Sequence, residues 1–286
     1  MLVVPPSLTG AARGVGSRPA VDLSAFIQAL SSARVYDLEQ PRFYGAPVFP
    51  THEPGFHLSL HRRHEPGTGE ARTGASALVV MAEHSGTHID ALCHQAENME
   101  MFGGVKVDAG VQTYVGFTAL GVETIEPIVK RGVLLDAAGH AGVERLDPGA
   151  AVQNLEQVAS DQQTVVGEGD VVLVRTGNGA LWESRAEYEG GAGIGIDSSR
   201  WLAGRRPFAV GADNLAWDVP GHVDPELGTI PGHSILIVRA GIHIIESLNL
   251  ERLARDRRHE FVFVCLPLKI RGGTGSPVRP LALVPA

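Results

Sequence analysis

Gly169-Asp170-Val171-Val172-Leu173-Val174-Arg175-Thr176-Gly177 opens on a turn pair, runs through four apolar residues, three of them valine, and closes on a second turn. β-Branched side chains fit a pleated surface and are cramped against the preceding turn of a helix. A short apolar run without polar alternation reads as a strand covered on both faces. Val171–Arg175 is therefore expected deep in a sheet. Residues 77–81, 132–135, 208–211, 234–238 and 261–266 carry the same signature and are also expected to be buried strands. Polar-faced stretches lie between them, at 154–159, 198–202 and 250–254, and an amphipathic stretch at 23–30 precedes them all. Strands alternating with helices predict an α/β domain, with mixed sheets and packed helices, over residues 21–286. Residues 1–20, rich in Pro, Gly and Ser, read as a flexible N-terminal arm. Pro41, Pro47, Pro50, Pro54 and Pro66 make residues 41–75 loop-dense, suited to a wall over a cleft.

With 24 Lys and Arg against 32 Asp and Glu, the net charge is −8. The one Arg-rich patch, Arg255-Asp256-Arg257-Arg258, is interrupted by an acid. Neither a nucleic acid nor an anionic membrane is an expected partner. Cys93 and Cys265, far apart, cannot staple a chain of this size. The opening Met1-Leu2-Val3-Val4-Pro5-Pro6 lacks the basic start of a secretory signal, and no apolar run reaches 18 residues. A cytoplasmic protein acting on a small molecule is the expectation.

The densest chemistry is His84-Ser85-Gly86-Thr87-His88-Ile89-Asp90-Ala91-Leu92-Cys93-His94. Imidazole nitrogen and carboxylate oxygen are donors that Zn²⁺ and Mn²⁺ accept. Gly86 can turn the backbone so that His84 and His88 converge. His88 and Asp90, two apart, share a side of an extended segment. Asp90 can bind one ion or bridge two, and His94 lies close enough to act as a general base. His-Glu-x-x-His is absent, so zincin chemistry is not indicated.

This stretch resembles the His-x-Gly-Thr-His-x-Asp signature of the cyclase-like metal hydrolase family, which includes kynurenine formamidases and isatin hydrolases. Further matching pieces follow in the family's order: residues 131–136, 169–177 and 210–213, then His233, Gly241-Ile242 and Glu246-Ser247-Leu248, and finally residues 267–279. They span roughly residues 35–284. The resemblance implies a swivelling β/β/α fold and a divalent metal, Zn or Mn, as one or two ions. It implies His84, His88 and Asp90 as ligands, His233 and Glu246 as completing a second position, and His94 as the catalytic histidine. It also implies a homo-oligomer, a dimer or tetramer.

Other signals are weaker. His57, His61 and His64 have no acidic partner at matching spacing and read as a surface strand or pocket wall. Phe43, Tyr44 and Phe49 offer an apolar wall for an aromatic substrate, or ordinary packing. Gly191-Ala192-Gly193-Ile194-Gly195 is no dinucleotide fingerprint, and Gly272-Gly273-Thr274-Gly275-Ser276, without a following Lys, could at most lend backbone N–H groups to an oxyanion. Cys93 is expected to pack behind the site. The expected activity is hydrolysis of a small amide, lactam or ester, aryl-formamide or isatin-like. The alternatives are a cyclase or dehydratase on a carbonyl substrate, and a non-catalytic binding protein of the same fold.

Overall fold

The computed structural model describes residues 22–67, 69 and 71–285; the expected arm at 1–20 lies outside them. Eleven strands concern the site: β1 (Arg34–Asp37), β2 (Phe56–Arg62), β3 (Ser76–Met81), β4 (His88–Asp90), β5 (Ile128–Asp136), β6 (Val171–Arg175), β7 (Ala209–Ala212), β8 (His243–Glu246), β9 (Glu260–Cys265), β10 (Gly275–Pro277) and β11 (Leu281–Val284). All but β2 and β3 join one mixed sheet in the order β1-β11-β9-β5-β6-β7-β8-β4-β10. The central β5-β6-β7-β8 block is parallel. Antiparallel pairs extend it on both sides.

The valine run of β6 sits in the middle, as its composition requires. Val171 and Leu173 enter one core with Leu134, Ile245 and Phe263. Val172 and Val174 enter the other with Val133, Leu135 and Val210. Successive side chains leave a strand on opposite faces, so a wholly apolar run needs a core on each side. The second core is closed by helices. α1 (Leu23–Ser32) stands apart from it, with no buried residue. α2 (Leu155–Asp161) contributes Leu155 and Val158, and α3 (Ile196–Arg205) contributes Leu202. Asn154 caps α2, its side-chain oxygen accepting from the Gln157 N–H at 3.0 Å. α4 (Glu251–Arg255) buries Leu253 and Ala254 in the first core.

Two expectations need correction. Residues 234–238 are not a strand: Ser234–Arg239 is a π-helical turn continuing the short helix Pro231–His233. Its apolar residues Leu236 and Ile237 are fully buried, and an apolar run this short satisfies either geometry. Residues 77–81 do form a strand, β3, but it is not buried. It pairs only with β2, and Leu78 and Val80 are each more than half exposed.

Parallel strands finish at one edge of a sheet, where α/β proteins place their ligands. Here β5, β6 and β8 end on Asp136, Arg175 and Glu246, with Arg175 opposite Asp136. The antiparallel β4 begins at the same edge, so His88 lies across the ladder from Glu246. No helix among the described residues is long and apolar enough to cross a membrane.

Candidate metal centre

His88 and Asp90 occupy the first and last positions of β4, on one face and fully enclosed. His88 Nδ1–H donates to the Gly86 carbonyl at 2.7 Å, which turns Nε2 toward the centre. That nitrogen lies 3.4 Å from Glu246 Oε2 and 3.6 Å from Asp90 Oδ1. Gly86 has φ +64°, and a Cβ there would press on the Arg42 side chain at 3.2 Å. Glycine is the residue that permits both conditions.

His84 reaches the centre from the turn before β4. Thr274 donates its backbone N–H to Glu83 Oε1 at 2.8 Å, and its hydroxyl donates to the same oxygen. The Thr274 oxygen therefore accepts from His84 Nε2–H at 2.7 Å. His84 Nδ1 is left facing Asp90 Oδ1 at 2.9 Å. Gly275 completes the cradle, since a Cβ there would lie 2.6 Å from the His84 ring.

His233 arrives from the end of the helix Pro231–His233. Its Nδ1–H donates to Asp218 Oδ2 at 2.7 Å, and Asp218 also accepts from the Gly232 N–H at 2.6 Å. His233 Nε2 then sits 3.2 Å from Glu246 Oε1 and 3.6 Å from Asp90 Oδ2. His243 steadies the strand itself, donating Nδ1–H to the Asp90 carbonyl at 2.8 Å. These carboxylate, carbonyl and hydroxyl partners fix the orientation of each imidazole, as outer partners do around metal sites.

The donors left over fit a cation. His84 Nδ1, both carboxylate oxygens of Asp90 and Glu246 Oε1 are buried without a hydrogen-bond partner. Leaving such groups unpaired costs free energy that a bound ion would offset. His84, His88 and Asp90 bring one donor atom each within 4.8 Å of one another, and Asp90, His94 and His233 form a second such group sharing the aspartate. Burial opposes the charge on Asp90 and Glu246, yet the surrounding imidazoles hold both carboxyls below their usual range. The converse holds for His88 and His233. Burial opposes their protonation, and the facing carboxylates Glu246, Asp90 and Asp218 raise both above the usual histidine value. Positive charge is what this pocket requires, whether as protons or as a metal.

His94 is different in kind. Its ring stacks on His84 with centroids 4.0 Å apart, and it lies 6.2 Å from His233. Burial pushes it down to about 3, aided by His84 and His233 and opposed by Asp90 and Glu246. It is a neutral imidazole beside the donors, able to accept a proton. Cys93, next to it, is buried in the first core and pushed up to about 12, chiefly by burial; it packs behind the site.

Reasoning from sequence did not single out His52. The short 3₁₀ turn Pro50–His52 carries it over the centre, where its ring stacks on His84 at 4.7 Å and 25°. Asp218, His243 and Thr274 were also missed, since they lie far from the histidine motif in sequence, and so was Glu83, which adjoins the motif but meets Thr274 only in the folded chain.

The donors line a cavity of about 110 Å³ with Phe49, Ala216 and Ile230. Those three residues also line an adjoining cavity of about 290 Å³, walled by Leu215, Val219 and Val223 among others. Of the three aromatic candidates, only Phe49 faces these spaces. Phe43 packs on the small core of Ala46, Trp182 and Tyr188, and Tyr44 is 77% exposed. His57, His61 and His64 bond separately to the Pro54 carbonyl, Ser76 and Thr73, and do not converge. His222 lines the larger cavity. The glycine-rich segment 272–276 offers no nest for an oxyanion: the N–H groups of Gly272, Gly273 and Thr274 are taken by Glu123, the Ile270 carbonyl and Glu83.

Known proteins share this arrangement of chain. An isatin hydrolase of Roseibium aggregatum is 25% identical over 221 residues, covering 72% of this chain and 74% of its own. A solved structure described as a novel cyclase superposes with a TM-score of 0.77 at 28% identity, covering 91% of this chain and 89% of that one. Isatin hydrolase A from Ralstonia solanacearum superposes with a TM-score of 0.72 over 95% of this chain and all of its own; at 23% identity it bears on the fold alone. The profile of the family described as "Putative cyclase" matches residues 21–219, about seven-tenths of the sequence, and the chain belongs to that family.

Proposed function

We propose that the protein is a metal-dependent hydrolase of a small amide, lactam or ester, with an aryl-formamide or an isatin-like lactam as the favoured substrate type. One observation carries this reading: buried, unpartnered donor atoms of His84, Asp90 and Glu246 converge beside a neutral imidazole, His94. The 25%-identical relative named an isatin hydrolase supports the substrate type, as does an apolar cavity of about 290 Å³ opening beside the donors. Engineered apolar cavities of about 150 Å³ already hold benzene.

His84, His88, Asp90, His233 and Glu246 would hold Zn or Mn. Asp90 faces His84 and His88 with one oxygen and His233 with the other, and Glu246 faces both His88 and His233, a set compatible with one ion or two. A divalent cation there supplies polarisation of a carbonyl and acidification of a water. The chain's own groups do the rest. Phe49 and the apolar walls seat the ring and exclude bulk water from the reacting end. His94 accepts a proton from the attacking water as its oxygen bonds to the carbonyl carbon. The same imidazole returns that proton to the leaving nitrogen or oxygen as the carbon–heteroatom bond breaks. We place this activity in the cytoplasm and in a homo-oligomer.

Elemental analysis of protein purified without added metal tests the centre, with His88→Ala beside the wild type. Stoichiometric Zn or Mn, lost in the variant, is expected, and the ratio reads one ion or two. His94→Ala should keep its metal and lose roughly 10²–10⁴-fold in kcat. Turnover in ¹⁸O-water distinguishes hydrolysis, which incorporates solvent oxygen, from cyclisation, which does not. Wild-type protein that takes up no metal on incubation refutes the proposal.

A further inference from the structure

His52 is not among the donors that face Asp90 and Glu246. It is held by stacking, on His84 at 4.7 Å and 25° and against Phe49 at 6.1 Å and 48°. The ring is half-buried, and among the described residues none hydrogen-bonds to it. The ring lines the cavity of about 110 Å³ together with Thr51 of the same 3₁₀ turn and Phe49, the residue just before it.

One nitrogen each of His52, His84 and His94 lie within 4.8 Å of one another. A separate ion among these three is disfavoured because His84 has no nitrogen to spare. Its Nε2 is bonded to Thr274 and its Nδ1 faces Asp90. Among the described residues no carboxylate completes the trio. A single oxygen can, however, sit within about 2.9 Å of two nitrogens so spaced. The place between His52 and His94 therefore suits one oxygen of a bound molecule. Phe49 borders both cavities, so a ring seated in the larger one presents its polar end beside His52.

We infer that His52 is a substrate-contacting residue: its imidazole N–H donates to the substrate oxygen on which negative charge grows, while His94 moves the proton. A neutral imidazole has one donor and one acceptor, so the two rings can divide these tasks. This inference rests on the hydrolytic reading for the reaction step. It rests on geometry alone for the oxygen contact.

The test uses the metal-loaded full chain with two variants that separate packing from hydrogen bonding. His52→Phe keeps an aromatic ring on His84 and removes the donor; His52→Gln removes the ring and keeps an amide donor. Benzoate, an apolar ring bearing two oxygens, is titrated by calorimetry, and formanilide turnover is measured alongside. His52→Phe is expected to keep its metal and weaken benzoate about tenfold, the worth of a hydrogen bond to a charged group. It should lower kcat for formanilide about 10²-fold with KM changed less, as for an oxyanion donor. His52→Gln should recover part of both losses. If His52→Phe binds benzoate like the wild type, or loses its metal, or if benzoate binds neither protein, the inference is overturned. If the wild type turns over no amide or ester but its benzoate affinity still depends on His52, the hydrolytic reading falls and the oxygen contact stands.

Discussion

His233 points its Nε2 at Glu246 because Asp218 holds the other side of the ring, at 2.7 Å. Removing such a partner typically weakens metal binding 10–100-fold. Asp218→Ala should do so in chelator competition, and unchanged affinity would show that the ring orients itself without help. Gly275 acts by what it lacks. A Cβ there would meet the His84 ring at 2.6 Å and the Ile89 carbonyl at 2.9 Å, both in rigid surroundings. Gly275→Ala is expected to lower metal occupancy and Tm together, where a surface glycine would change neither. The centre also predicts a proton count. Facing carboxylates raise His88 and His233, against burial, above the usual histidine value, so near neutrality the metal-free protein carries protons that an ion must expel. Binding heats measured in buffers of different ionisation enthalpy should show proton release, falling toward zero as pH rises above those values. The histidine motif was legible because its donors lie within eleven residues of sequence. His52, Asp218 and Thr274 were not, because only the folded chain brings them near.

At the end of the parallel block the elements are tied by charge. Arg175 closes β6 and is buried. It bonds Asp136 at the end of β5 at 2.9 Å, Glu251 at the start of α4 at 2.7 Å and the Glu144 carbonyl at 2.7 Å. Burial works against its charge, but the two carboxylates more than restore it. Truncating one member of a buried ion pair costs about 3–5 kcal/mol, because the partners keep their desolvation penalty. Asp136 and Glu251 keep some solvent, so Arg175→Ala should sit near the lower end, read by urea unfolding. A loss below about 1 kcal/mol would place the pair among ordinary surface bridges. The strand in which Arg175 stands was plain from its valines, and so were β5, β7 and β9. The π-helical turn Ser234–Arg239 was not, since four apolar residues fit a strand or a helix and only packing on the second core decides. That misreading touched the site directly, because the turn begins where His233 ends.

For the molecule as a whole, two elements leave several large apolar side chains exposed together. α1 sets Leu23, Phe26, Ile27 and Leu30 at helical spacing and buries none of them. The β2–β3 hairpin bares Leu58, Leu60 and Val79 on one face and Leu78 and Val80 on the other, with Leu58 opposite Val79 and Ser59 opposite Leu78. A lone two-stranded hairpin is marginal in water and needs cover. These nine side chains are each about half exposed, and apolar faces of this kind commonly mark a protein–protein contact. A second copy of the chain offers the same apolar faces in return, as a self-complementary two-fold contact requires. Light scattering on the purified protein should therefore give at least twice the chain mass. Ile27→Asp together with Val80→Asp should shift it to one chain and expose the hairpin to proteolysis. Both substitutions lie outside the two cores, so a folded monomeric wild type would mean that these faces serve something other than self-association.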